Sequence, residues 1–153
     1  MATLEARLQA LEDREAIREL KHRYLNACDS KDVERIRSCF ASGAIWIDFG
    51  PIGTFTERDA FVALYQQMAC QPQVIDLHHA ANPEITLHSG GEASARWAIF
   101  YFNLDADSGL TRQLGGVYLD RYRKGDEGWQ IVESVCRLHS VVTGRTLGEP
   151  DEH

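Results

Sequence analysis

The apolar pattern of this 153-residue chain changes once, near residue 73, from helical spacing to alternation by two. That switch limits the fold more than any other feature. Before it, Thr3 can cap a helix in which Leu4, Leu8 and Leu11 fall one turn apart. Asp13 can restart that helix, and Ile17, Leu20, Tyr24 and Cys28 then form one face. Asp32 can cap a second, short helix carrying Val33, Ile36 and Phe40, which Gly43 ends. Residues 44–48 read as a strand and residues 49–53 as a turn. Thr56 to Asp59 opens a third helix, with Phe61, Leu64, Tyr65 and Met68 on one side, and Gln71-Pro72 closes it.

After the switch, strands are expected over 74–79, 83–88, 93–104, 114–123 and 129–139, with Gly-rich turns between the later ones. The polar last dozen residues read as a loose tail. Helices first and a meandering antiparallel sheet afterwards describe an α+β fold with the helices on one sheet face. The expectation is one domain over residues 1–153, with its core at about 10–140. A long twisted sheet curls around such helices and leaves a cone able to hold a small apolar ligand.

Composition narrows the partners. The net charge of −7 disfavours nucleic acid and anionic membrane, both of which call for a basic surface. The charged N-terminal run lacks the apolar centre of a signal peptide, and no stretch approaches the roughly 20 apolar residues of a membrane span. Cys28, Cys39, Cys70 and Cys136 fit neither a zinc site nor a redox pair. They read as reduced thiols, which points to the cytoplasm. The six histidines show no HxxxH or HExxH spacing, so no metal site is expected. No phosphate loop and no GxSxG elbow occurs.

Two polar islands interrupt the apolar segments: Tyr24 to Asp29 on the first helix, and Asp76, His78 and His79 on a strand. Together they supply a phenol, a carboxylate and an imidazole, enough for acid–base chemistry without metal or cofactor. Tyr24 and Asp29, five residues apart, would point about 140° from each other on an ideal helix. They share a space only if the helix ends or loosens near Cys28. Each also has a plain structural reading, as a core tyrosine and a capping aspartate. On the strand, alternation places His79 with Ile75 and Leu77, and His78 with Val74 and Asp76. A purely apolar inner face would make His79 the inward residue, so periodicity leaves the two histidines undecided.

The run Glu15 to Tyr24 followed by Asp29, the segment His78 to Ile85, and Gly115 to Tyr122 followed by Gly128-Trp129 resemble the SnoaL-like group of the nuclear transport factor 2-like superfamily. The resemblance covers roughly residues 10–140. It implies a cystatin-like α+β barrel, a curved antiparallel or mixed sheet around N-terminal helices, usually assembled as homodimers or homotrimers. The group's enzymes include bile acid 7α-dehydratase, scytalone dehydratase and hexachlorocyclohexane dehydrochlorinase. They use a histidine–aspartate pair as a cofactor-free base. By this resemblance the pair is His78 and Asp29, with Tyr24 as the tyrosine five residues before the aspartate.

Trp46 matches a pocket aromatic, and Tyr101 stands where the bile acid enzyme carries an aspartate. That enzyme's last-strand arginine falls near Leu138, one residue from Arg137, and a slip of one reverses the face. The implied activity is elimination of water, or a double-bond shift, on a small polycyclic or aromatic molecule. The implied lining is Trp46, Phe61, Tyr65, Trp97, Tyr101 and Arg137. Two alternatives stand beside it: a binding module with His78 and Asp29 apart, and a support subunit with a filled cone.

Overall fold

The computed structural model describes residues 2–146. Its elements are α1 (Leu4–Asp29), α2 (Val33–Cys39), β1 (Trp46–Asp48), a short 3-10 turn (Gly50–Ile52), β2 (Thr54–Phe55), α3 (Arg58–Ala69), β3 (Val74–His88), β4 (Glu92–Asp105), β5 (Leu110–Gly125) and β6 (Gly128–Arg145). The six strands form one curved mixed sheet in the order β2-β1-β6-β5-β4-β3. Neighbours are antiparallel except β1 and β6, which run parallel. The fold is α+β, with the helices against the inner face of the sheet.

The Thr3 hydroxyl accepts from the Ala6 N–H at 3.1 Å and starts α1. The helix then runs unbroken through Asp13, where a restart was expected. The Asp13 carboxylate instead accepts from Lys124 at 2.7 Å and from the Trp129 indole at 2.9 Å. Ile17, Leu20, Tyr24 and Cys28 are buried, as their spacing predicts, whereas Leu4, Leu8 and Leu11 lie beyond the sheet and are exposed.

The strands expected at 74–79 and 83–88 are one strand, β3. Its ladder with β4 shifts register between Ala81 and Glu84, where Asn82 adopts φ +51° and Pro83 has no N–H to give. The chain bulges at these two residues, and pairing resumes on the same neighbour. At the other end, β6 continues to Arg145 rather than ending at 139, held by pairing to Leu110–Gly115 of β5. The rest of the expected loose tail, residues 147–153, lies outside the described residues.

A second bulge sits between β5 and β6, where Gly115 pairs with Ser140 and Gly116 with Leu138. A Cβ on Gly116 would overlap the Arg137 carbonyl oxygen and press on the Leu138 Cα. Backbone cannot move aside as a flexible side chain can. Gly116→Ala should therefore lower stability by roughly 2–3 kcal/mol, read as a shift of the urea midpoint with unchanged slope.

The helix-covered end of the inner face is filled. Trp97, Tyr122, Phe40, Ile36 and Ile131 are fully buried there. Within this apolar mass lies a charged pair. Lys21 Nζ stands 2.7 Å from Asp120 Oδ2, and neither side chain has any exposure. The approach is off the axis of a hydrogen bond, and Nζ has no hydrogen-bond acceptor among the described residues. The ammonium lies 3.5 Å from the centroid of the Tyr118 ring. Asp120 accepts in addition from the Tyr122 and Ser134 hydroxyls, each at 2.8 Å.

Candidate active site

The opposite end of the inner face is open and encloses a cavity of about 470 Å³, within the range of small-molecule sites. Phe49, Phe61, Leu64, Tyr65, Ile99 and Leu114 supply apolar wall. Exposed Ile52, Met68, Arg112 and Leu138 form its rim.

Register explains which polar groups reach this space. His78 pairs with Tyr101 and Asp76 with Asn103, so all four side chains share one face. That face looks inward. Ile75 and Leu77 are 48% and 44% exposed, and His79 is exposed with them. The inner side of β3 is thus its polar side, and His78 lines the cavity.

Asp29, the last residue of α1, meets His78 there. Its Oδ1 lies 2.6 Å from His78 Nδ1, and both carboxylate oxygens accept the His78 main-chain N–H at 3.1 Å. A carboxylate can only accept, so Nδ1 carries a proton toward Asp29, and in the neutral imidazole Nε2 presents a lone pair. Three contacts from one carboxylate fix both the tautomer and the tilt of the imidazole. The Tyr101 ring packs against it, centroid to centroid at 4.5 Å.

A second carboxylate, Asp76, sits on the cavity wall two residues before the histidine and is 7% exposed. Its Oδ1 accepts from the Tyr101 hydroxyl at 2.6 Å and from Asn103 Nδ2 at 2.8 Å. Its Oδ2 pairs with Lys31. Burial works against ionisation of Asp76, but the bonds from Lys31, Tyr101 and Asn103 outweigh it and hold the carboxyl below the usual range. Lys31 reaches it from the turn after α1 with φ +60°, a conformation unusual for a residue with a Cβ.

Tyr24 lines the cavity from α1 and is 3% exposed, edge-on to Phe40. Burial, reinforced by the neighbouring Cys28, Tyr118 and Asp120, pushes its phenol well above the ordinary value. Burial likewise raises Tyr65, Tyr101 and Tyr118. All four are neutral phenols at physiological pH. The Tyr65 hydroxyl is committed to the Cys28 carbonyl.

The SnoaL-like domain family matches residues 9–135. The chain belongs to this family. Among solved structures, a scytalone dehydratase candidate from Novosphingobium aromaticivorans DSM 12444 is 20% identical with a TM-score of 0.79, over 93% of this chain and 97% of the other. A hexachlorocyclohexane dehydrochlorinase of type 3 from Novosphingobium barchaimii LL02 is 18% identical at a TM-score of 0.80, over 94% and 99%. A protein from Novosphingobium aromaticivorans described as NTF2-like with a cystatin-like fold is 26% identical at 0.74, over 89% and 88%. These likenesses place the SnoaL-like domain in the NTF2-like superfamily and show its cystatin-like architecture.

Of the residues expected to line the cavity, Phe61, Tyr65 and Tyr101 do so. Trp46 does not. Ile47 takes the inward position on β1, so Trp46 points out and is 44% exposed. Trp97 faces inward but at the filled end, fully buried, with its indole N–H donating to the Tyr122 hydroxyl at 3.0 Å. Arg137 is on the outer face of β6, ion-paired with Asp48 at 3.0 Å. Its neighbours Cys136 and Leu138 line the cavity instead.

Lys31, Asn103 and Arg112 were not expected at the site, and Asp76 stood in the second polar island without an assigned role. The spacing of Asp76 to His78, and of Tyr101 to Asn103, is the signal that places each pair on one face. Nothing local marks Lys31 or Arg112, because their approach depends on a turn and on strand register.

Proposed function

We propose that this SnoaL-like domain, acting as a single domain, is a cofactor-independent lyase that eliminates water from a small apolar, polycyclic or aromatic molecule. The observation that carries the reading is the 2.6 Å contact of Asp29 with His78 Nδ1, which leaves Nε2 as a free base at an apolar cavity.

Nε2 takes a proton from the carbon beside a carbonyl. The released electron pair forms an enolate, whose oxygen accepts a hydrogen bond from the neutral Tyr24 phenol. As the enolate collapses, a carbon–carbon double bond forms and the hydroxyl on the next carbon leaves. It departs as water with the proton returned by the imidazolium, whose charge Asp29 offsets. A double-bond shift needs the same base and donor and differs only in where the proton returns.

A screen of polycyclic β-hydroxy ketones by thermal shift, followed by assay of the binders for loss of water, tests this reading. Formation of the conjugated enone is the expected result. Ligands that bind and emerge unchanged would instead indicate a module that only binds.

The chain is further proposed to work in the cytoplasm, supported by four unpaired cysteines, and as a homodimer or homotrimer. Support for assembly comes from the outer sheet face. Ile75, Leu77, Phe100, Leu119 and Val142 are each 44–59% exposed there and lie on neighbouring strands. Light scattering after size exclusion should give a mass of two or three chains. None of the described helices is long and apolar enough to cross a membrane.

A further inference from the structure

The Asp76 cluster has a directional property that the base mechanism does not use. An ionised carboxylate offers acceptors only, so every group on it must donate. The single hydroxyl proton of Tyr101 therefore points at Asp76 Oδ1, 2.6 Å away. Asn103 must present its amide nitrogen to the same oxygen, 2.8 Å away, which turns its carbonyl elsewhere. Lys31 occupies Oδ2. What Tyr101 keeps for a ligand is the pair of lone pairs on its oxygen. Asn103 keeps its carbonyl oxygen and one N–H.

This polarity is costly to reverse. Turning the Tyr101 proton toward a ligand would leave an ionised carboxylate, 7% exposed, short of one of its donors. Tyr101 and Asn103 both line the cavity, and the Tyr101 ring packs at a tilt beside His78. We propose that Asp76 fixes Tyr101 as a hydrogen-bond acceptor, so that the cavity selects a ligand carrying a hydroxyl beside the catalytic imidazole. The proposal rests on the reading of this cavity as a small-molecule site and adds what it recognises.

It also refines the elimination. An alcohol that donates to Tyr101 keeps its own lone pairs free to take the proton from the imidazolium. Tyr101 is then an orienting acceptor, and the donor to the enolate oxygen is left to Tyr24.

Two probes of nearly equal shape separate this from simple apolar binding: 2-naphthol, which can donate, and 2-methoxynaphthalene, which can only accept. Calorimetric titration at neutral pH should show the wild-type chain preferring 2-naphthol by roughly three- to tenfold, the worth of one net hydrogen bond. In Tyr101→Phe, which removes only the phenol oxygen, the preference should shrink to within about twofold. In Asp76→Asn the new amide can donate to Tyr101 and release its proton toward the cavity. The affinity for 2-methoxynaphthalene should then rise relative to 2-naphthol, a reversal that a loss of packing does not produce.

Equal affinity of the wild-type chain for the two probes overturns the proposal, as does failure of 2-naphthol to bind. A preference that survives Tyr101→Phe unchanged also overturns it. None of these binding outcomes bears on the roles of His78 and Asp29, which are judged by turnover.

Discussion

Replacing His78 by Ala should lower turnover of a β-hydroxy ketone substrate by roughly a hundredfold or more while leaving the fold intact. A positioned base contributes about 10²–10⁴ in rate, and no other imidazole reaches this cavity among the described residues. Alanine retains the two main-chain contacts of His78 with Asp29 and gives up the ring's contacts with Asp29 and Tyr101. The loss should appear mainly in kcat, with a much smaller change in the unfolding midpoint.

Asp29→Asn should cost a comparable factor for a different reason. An amide nitrogen facing Nδ1 would donate to it, move the ring proton to Nε2 and leave no lone pair at the cavity. His79, exposed on the outer face one residue away, is the internal control, and His79→Ala should stay within about twofold of wild type. Rates of the three variants on one substrate check these expectations together.

The second large effect concerns stability. Lys21→Met should destabilise the chain by roughly 3–5 kcal/mol, because it strands the Asp120 carboxylate in a fully buried place. Tyr122 and Ser134 would still donate to that carboxylate, but two neutral hydroxyls offset only part of a buried charge. The Tyr118 ring would also lose the ammonium packed on its face. The double change Lys21→Met with Asp120→Leu removes both charges and should recover part of the loss. Urea unfolding of the single and double variants measures this. A single-variant loss below about 1 kcal/mol would mean that the pair contributes little.

The helices and most of the strands were legible because their period is a local property. Ile17, Leu20, Tyr24 and Cys28 repeat at helical spacing and are buried, and the residues after 73 alternate and form strands. Asn82-Pro83 interrupts the local strand pattern, and the expected strands 74–79 and 83–88 are one strand, β3. The ladder with β4 carries the strand across it, and that support comes from residues more than ten positions away.

The inward face of β3 could not be read from hydrophobicity. Ile75 and Leu77 are more apolar than Asp76 and His78, yet they face out. A face that lines a cavity and meets the Asp29 carboxylate and the Lys31 ammonium can accept polar side chains, because each finds a partner there. Apolar side chains on the outer face are in turn what an assembling sheet presents.

Single-residue placements on the short and bulged strands were the least legible. Trp46 and Arg137 both lie one position from a residue that faces inward, and one position in a strand reverses the face. The bulge that pairs Gly116 with Leu138 follows directly after Arg137. Trp97 has the expected face but the wrong end of the sheet, a matter of which end α1 and α2 fill. The Lys21–Asp120 pair was invisible for a related reason. A lysine on an otherwise apolar helix face reads as solvated unless the buried aspartate opposite it is known.

The most direct test of the central claim, that Asp29 and His78 act as one base, is a double-mutant cycle on kcat/KM with His78→Ala, Asp29→Asn and both together. If the pair is a unit, each single variant loses roughly a hundredfold or more and the double variant is about as slow as His78→Ala alone. Losses that multiply in the double variant, or a single variant near the wild-type rate, would contradict it.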